Sequence, residues 1–104
     1  PLIARLISEQ KAITVIDFGD GTVEEVETVV GEKGSALLDV LSNIEIPIEL
    51  EEKAQEILVT QIDEVANSGE GEWQAYLNSV PLDQVISNTN IEPGDEIIWR
   101  FESL

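Results

Sequence analysis

The reactive side chains of this 104-residue chain are almost all carboxylates. There are 22 Asp and Glu against 5 Lys and Arg, a formal net charge of −17, and no His, Cys or Met. Without Cys or His there is no thiol nucleophile, histidine base, Ser-His-Asp triad, ordinary zinc site or iron–sulfur cluster. Paired carboxylates can do acid–base work, but one of the pair must sit in a dry pocket that shifts its pKa. No spacing here nominates such a pair, so the acids read as a solvated negative surface and the chain as no enzyme. Asp17-Phe-Gly-Asp20-Gly21 has a faint likeness to an acidic calcium loop. An EF-hand, however, alternates oxygen ligands and ends on a distant Glu, and here Phe18 and Gly19 occupy ligand spacing. A hairpin turn accounts for these residues better, and no metal site is assigned beyond weak Ca²⁺ binding to so acidic a surface. Gly19, Gly21, Gly31 and Gly34 are turn glycines, and Lys33 is not in phosphate-loop spacing. Nucleic acid is excluded as a partner, because its phosphates would meet a strongly negative surface.

The aromatic residues are Phe18, Trp73, Tyr76, Trp99 and Phe101. Alternation along a strand puts Trp99 and Phe101 on one face with Ile97, and Trp73 on one face with Ala75 and Leu77. These read as core. Tyr76 falls on the face opposite Trp73 and is the better candidate for an exposed contact.

The elements that must position these residues are mostly strands. Ile13–Phe18 and Thr22–Val30 are rich in β-branched residues and flank Gly19-Asp20-Gly21, which supplies the positive φ of a hairpin turn. Val23 and Val26 break strict alternation, which predicts a bulge near Glu24-Glu25, with Glu25 and Glu27 on a solvated face. Gly31–Gly34 is a turn. Ser35 reads as the N-cap of a helix over Ala36–Asn43, with Leu37, Leu41 and Ile44 on one face, Asp39 early and Asn43 as its stop. Ile46–Leu50 alternates, and Pro47 marks it as an edge or irregular strand. Glu51–Glu56 reads as a loop or one helical turn, and Ile57–Ile62 as a strand. Asn67–Gly71 is a turn, Trp73–Leu77 a strand, Asn78-Ser79 a turn, Val80–Ile91 mostly connection, Glu92–Asp95 a turn and Glu96–Phe101 the last strand.

A chain of this length is one domain by default and buries roughly 60–70% of its unfolded surface. Its hydrophobic content of 42% is too high for a disordered acidic tail. Residues 1–12 read as an N-terminal arm or linker and residues 13–104 as a single domain. Leu2, Ile3, Leu6 and Ile7 cluster in that arm, and a start at Pro1 favours trimming or maturation. No apolar run approaches the roughly 20 residues that span a bilayer, so membrane attachment would run through a segment absent from this chain. Absence of Cys does not separate cytoplasm from exterior at this size.

Several stretches, in order, resemble the transcobalamin-like C-terminal domains, relatives of the soluble-ligand-binding β-grasp group. Ile13–Phe18 with its Gly-Asp-Gly turn and Gly34-Ser-Ala-Leu-Leu-Asp-Val-Leu41 resemble the family's opening hairpin and helix. Val59-Thr-Gln-Ile62 is similar to its Val-Thr-Ser-Ile strand, and Trp73-Gln-Ala-Tyr-Leu-Asn78 to its Trp-x-x-Tyr-Val-Asn-Gly strand and turn. Val80-Pro-Leu82 and Pro93-Gly-Asp-Glu-Ile-Ile-Trp99 resemble the segments that follow. The sequence departs where the family often has glycine: Asp63-Glu64 after the middle strand, Ser79 after Asn78, and Val85 after the Pro-Leu segment. The resemblance implies an α+β fold of the β-grasp (ubiquitin-like) type, a mixed sheet packed on one main helix. In the vitamin B12 carriers the equivalent domain covers one side of cobalamin and a helical domain covers the other. A ubiquitin-like modifier's Gly-Gly tail and a ferredoxin's four Cys are both missing.

The function expected from this is a non-enzymatic binding module, secreted or surface-anchored and therefore extracellular or at the cell surface. Its partner is a small molecule, with cobalamin one such ligand and no resident cofactor, or a protein. The positions matching the stretch near the corrin ring are Tyr76, Asn78, Ser79, Val80 and Leu82. The alternative is a structural or assembly domain that makes protein–protein contacts through the apolar N-terminal segment. The sequence carries no sign of oligomeric state.

Overall fold

The structure is a computed structural model that describes residues 10–103. In chain order its elements are β1 (Lys11–Asp17), β2 (Val23–Val29), β3 (Ser35–Ala36), α1 (Leu37–Ser42), β4 (Ile48–Lys53), β5 (Glu56–Ile62), β6 (Val65–Ala66), β7 (Gly71–Leu77), β8 (Val80–Pro81), β9 (Asn90–Ile91) and β10 (Glu96–Ser103). The apolar N-terminal segment invoked for assembly lies outside the described residues, apart from the last residues of the proposed arm. No helix among the described residues is long and apolar enough to cross a membrane.

The β1–β2 hairpin forms around the Gly-Asp-Gly turn. Gly19 and Gly21 adopt φ of 79° and 94°, which glycine enters without a Cβ clash. Phe18 N–H donates to Thr22 O at 3.0 Å. The two acids of the calcium-like stretch close the turn: Asp17 Oδ1 accepts Gly19 N–H and Asp20 Oδ1 accepts Thr22 N–H, each at 2.9 Å. The Thr22 amide holds the Asp20 carboxyl below its ordinary value.

The register runs without interruption from Lys11 opposite Val29 to Asp17 opposite Val23, so the bulge expected at Glu24-Glu25 is not there. Thr28 explains why. It is nearly the shape of Val and sits buried, which lets Glu24, Val26 and Thr28 keep strict alternation. The irregularity falls instead between Glu49 and Leu50, where β4 pairs with β5.

β1 pairs on its other side with β10 in parallel, β10 with β7 and β7 with β8 antiparallel, giving a mixed five-stranded sheet of order β2-β1-β10-β7-β8. A three-stranded sheet, β4-β5-β6, and a two-stranded one, β3-β9, complete the fold. The inner face of the large sheet carries Ala12, Thr14, Ile16, Ile97, Trp99, Trp73 and Ala75, all buried. Ile57, Val59 and Ile62 of β5 join them in one hydrophobic core with Leu37, Val40, Leu41 and Ile91.

This arrangement overturns the expected α+β, β-grasp fold with one main helix. Strands take 54% of the described structure and helix only 6%, and the packing is sandwich-like. The cause is local. Ala36 is extended (φ −65°, ψ 144°) and pairs with Asn90, as Ser35 does with Ile91. Ser35 is therefore no N-cap; its Oγ accepts Gly31 N–H at 3.1 Å. The helix starts at Leu37 without a side-chain cap, the Leu37 and Leu38 N–H groups donating to Thr89 O and Ser87 O, and stops at Asn43, whose N–H donates to Val40 O at 3.2 Å and whose Nδ2 donates to Asp39 O at 2.9 Å. Its six residues bury Leu37, Val40 and Leu41, which is too little to cover a five-stranded sheet. The three-stranded sheet covers it instead. Glu51–Lys53, expected as loop or helical turn, continues β4, and Ala54-Gln55 makes the turn into β5.

Candidate functional site

The β7–β8 hairpin holds most of the residues singled out by sequence, and the start of β10 packs beside it. Asn78 and Ser79 form a two-residue turn between Leu77 and Val80, both with positive φ, 49° and 71°, the combination that matches the strand twist. The turn is clamped to β10. Asn78 N–H donates to Glu96 O at 2.8 Å, Glu96 N–H donates to Asn78 Oδ1 at 2.9 Å, and Asn78 Nδ2 donates to Asp95 Oδ1 at 3.0 Å. Ser79 is exposed, and Val80 keeps 62% of its surface in solvent. Asn78, Ser79 and Val80 are thus presented together at a rigid tip.

Tyr76 and Leu82 do not join them in one surface. Tyr76 lies on the outer face of the large sheet. Its hydroxyl donates to Glu102 Oε2, and the Arg100 guanidinium lies 5.0 Å from its ring centroid, within cation–π range. Arg100 Nε in turn donates to Asp17 Oδ2 at 3.3 Å. Leu82 packs against the core from the other side; its N–H donates to Ala75 O at 3.0 Å and its carbonyl accepts Gln74 Nε2 at 2.9 Å. It lines a crevice of about 160 Å³ between β5 and β7, with Val85 and Trp99 inside and Glu56, Glu72 and Asp83 among its acids.

Sequence reasoning missed the Asp17–Arg100–Tyr76–Glu102 network. Alternation did set Tyr76 apart from Trp73. The partners come from β1 and β10, and only the strand order puts them beside it.

The hydrogen bond to Glu102 and partial desolvation raise the Tyr76 phenol above its ordinary value of 10.0. The folded state gains from this below that ordinary value, and the gain is lost as pH rises through the raised midpoint. Tyr76 is the single Tyr of the chain, so ultraviolet absorbance of the phenolate reads it directly. We expect a midpoint above 10.0 that falls in Glu102→Gln.

Ser79, where the resembled family has glycine, keeps a left-handed backbone here without it (φ 71°), and Asp63, just before the other such position at Glu64, is left-handed as well (φ 54°). A Cβ in that region costs about 1–2 kcal/mol, partly offset by the greater unfolded-state entropy of glycine. Ser79→Gly and Asp63→Gly are each expected to raise stability by about 0.5–1 kcal/mol, read as higher urea midpoints at unchanged slope.

Among the described residues no group of three or more His, Cys, Asp or Glu side chains is placed to hold a metal ion. The fold recurs in solved structures. A protein from Ruminococcus gnavus ATCC 29149, proposed to bind metal, superposes with a TM-score of 0.72 at 15% identity over 92% of this chain and 99% of that one. Haptocorrin, solved in complex with Cbi, superposes with a TM-score of 0.69 at 17% identity over 90% of this chain. The chain spans 25% of haptocorrin's length. At these identities the likeness is one of fold. No curated protein matches the sequence significantly. Residues 34–103, from the turn before β3 to the end of β10, match a domain of unknown function, DUF4430, and the chain belongs to that family.

Proposed function

We propose that this chain is a non-enzymatic binding module, secreted or surface-anchored, that takes a small organic ligand of the corrinoid class at the β7–β8 hairpin. On this reading it is a relative of the transcobalamin-like C-terminal domains. The observation that carries the proposal is the tip itself. Asn78, Ser79 and Val80 stand in solvent, yet three hydrogen bonds tie Asn78 to Asp95 and Glu96. A preorganised contact loses little ordering entropy when a ligand packs on it. The Trp73-Gln-Ala-Tyr-Leu-Asn78 resemblance and the haptocorrin fold support the choice of ligand class.

The test is a titration with cyanocobalamin while tryptophan emission is recorded from Trp73 and Trp99. Saturable quenching is expected, weakened by about tenfold in Val80→Asp, which places a charge in the contact. No saturable quenching up to high micromolar ligand would sink the corrinoid assignment.

A further inference from the structure

We propose that the open edge of β2 is a docking site for an extended basic segment of another protein, which adds a strand to the large sheet. The hairpin register fixes which backbone groups are on offer. Phe18 N–H donates to Thr22 O at 3.0 Å and Val30 N–H to Gln10 O at 2.8 Å. With Lys11 opposite Val29 and Asp17 opposite Val23, the even-numbered residues of β2 turn their N–H and C=O toward β1. Val23, Glu25, Glu27 and Val29 turn theirs outward. β2 ends the strand order, with no strand beyond it among the described residues. The β7–β8 hairpin of the proposed ligand site is at the opposite edge of the same sheet, so the two proposals stand apart.

A groove of about 600 Å³ follows this edge, lined by Glu24, Glu25, Val26 and Glu27 of β2 and by Asn43, Glu45 and Ile46 of the connection after α1. Residues from both faces of β2 line it, so it lies along the edge and not over either face. An unpaired edge invites a strand, and main-chain bonds supply the affinity in such additions. The side chains decide which strand. Glu27 is bridged by Lys11 at 3.4 Å, whereas Glu24, Glu25 and Glu45 have no ion-pair partner among the described residues. A second copy of this chain would set glutamate against glutamate across the new pair, which is destabilising, within a molecule of net charge −17. The occupant that fits alternates Lys or Arg with apolar residues. One set of side chains meets Glu25 and Glu27, and the other meets Val26 and Ile46 with Glu24 beside them.

The probe is an end-blocked, fluorescently labelled Lys-Val-Lys-Val-Lys-Val peptide, followed by anisotropy, with hydrogen exchange recorded at the Glu25 and Glu27 amides. Two further peptides carry N-methyl groups on alternate residues, one on each parity. We expect saturable binding and exchange at Glu25 and Glu27 slowed by about tenfold or more. One N-methyl parity should abolish binding while the other leaves it nearly intact, and Glu25→Lys with Glu45→Lys should weaken it by about tenfold. The proposal fails if no binding occurs at millimolar peptide. It also fails if both N-methyl parities bind like the parent, or if the two amides exchange at an unchanged rate, since diffuse charge attraction gives those results.

Discussion

Trp73→Ala is expected to lower stability by about 4 kcal/mol, a large share of the roughly 5–15 kcal/mol that holds a domain of this kind together. Trp73 joins the two main sheets. Its indole is buried on the inner face of β7, edge-on to Phe18 at 5.6 Å and to Phe101 at 5.4 Å. Such pairs contribute about 0.5–1.5 kcal/mol each beyond area burial. Its indole N–H donates to Val65 O on β6 at 2.8 Å, and its backbone N–H donates to Asn67 Oδ1 at 2.9 Å. Asn67 in turn bonds β5 through Val59 O at 3.1 Å and Thr60 O at 2.8 Å. Truncation removes the aromatic cluster, opens a cavity and leaves the Val65 carbonyl without its donor, while the backbone bond to Asn67 survives. Trp73→Phe keeps much of the ring packing and loses the indole donor, so it should cost about 1–2 kcal/mol. Urea unfolding read by the remaining Trp99, buried in the same core, measures both. A loss under about 2 kcal/mol in Trp73→Ala would mean that the sheets are held together elsewhere.

The inward turn of Trp73 was legible in the sequence, because period-two alternation assigns Trp73 and Ala75 to one face and Tyr76 to the other whatever the strand pairs with. The same holds for Ile97, Trp99 and Phe101. What alternation does not contain is strand order. β1 takes β10 as a parallel neighbour from the far end of the chain, and nothing local in Ile13–Phe18 specifies that choice. The helix misled for a related reason. Leu37-Leu-Asp-Val-Leu41 has helical spacing and does form a helix, but its length is set by Ala36 being drawn into pairing with Asn90. The short helix leaves the sheet uncovered, and Glu51-Glu-Lys53, weak in intrinsic strand preference, is held extended by its partners Leu58, Ile57 and Glu56. Ala54 takes a left-handed φ of 56°, which no property of alanine announces.

The candidate site divides along the same line. Asn78-Ser79 reads as a turn from its residue types, and the turn is there. Tyr76, Val80 and Leu82 are neighbours in sequence, but the pleat sends Tyr76 outward and Leu82 inward, so a contiguous stretch becomes two surfaces. The β2 groove was out of reach, since Glu24–Glu27 and Asn43–Ile46 meet only once the connection after α1 is placed beside the edge.

Gly71→Ala is the second substitution expected to have a large effect, a loss of about 3 kcal/mol, and it separates steric from conformational uses of glycine in this chain. Gly71 is buried at the start of β7, opposite Ser103. A Cβ there would lie 2.6 Å and 2.8 Å from the Cε2 and Cζ atoms of Phe101 and 2.7 Å from the backbone oxygen of Glu102. The ring is packed against Trp73, and the oxygen belongs to the β7–β10 pair, so neither can give way without disturbing the core or the ladder. Gly69, two residues earlier, supplies the control: a Cβ there meets nothing within 4 Å, and its φ lies outside the left-handed region. Gly69→Ala should therefore be neutral or stabilising by up to about 1 kcal/mol, through the unfolded chain. Adding Phe101→Ala to Gly71→Ala removes the ring half of the clash and leaves the carbonyl half. The double variant should thus be more stable than the sum of the single losses predicts, a coupling of about 1 kcal/mol between touching residues. Additive losses in the urea midpoints would place the whole cost of Gly71→Ala on the Glu102 carbonyl and the backbone pairing of β7 with β10.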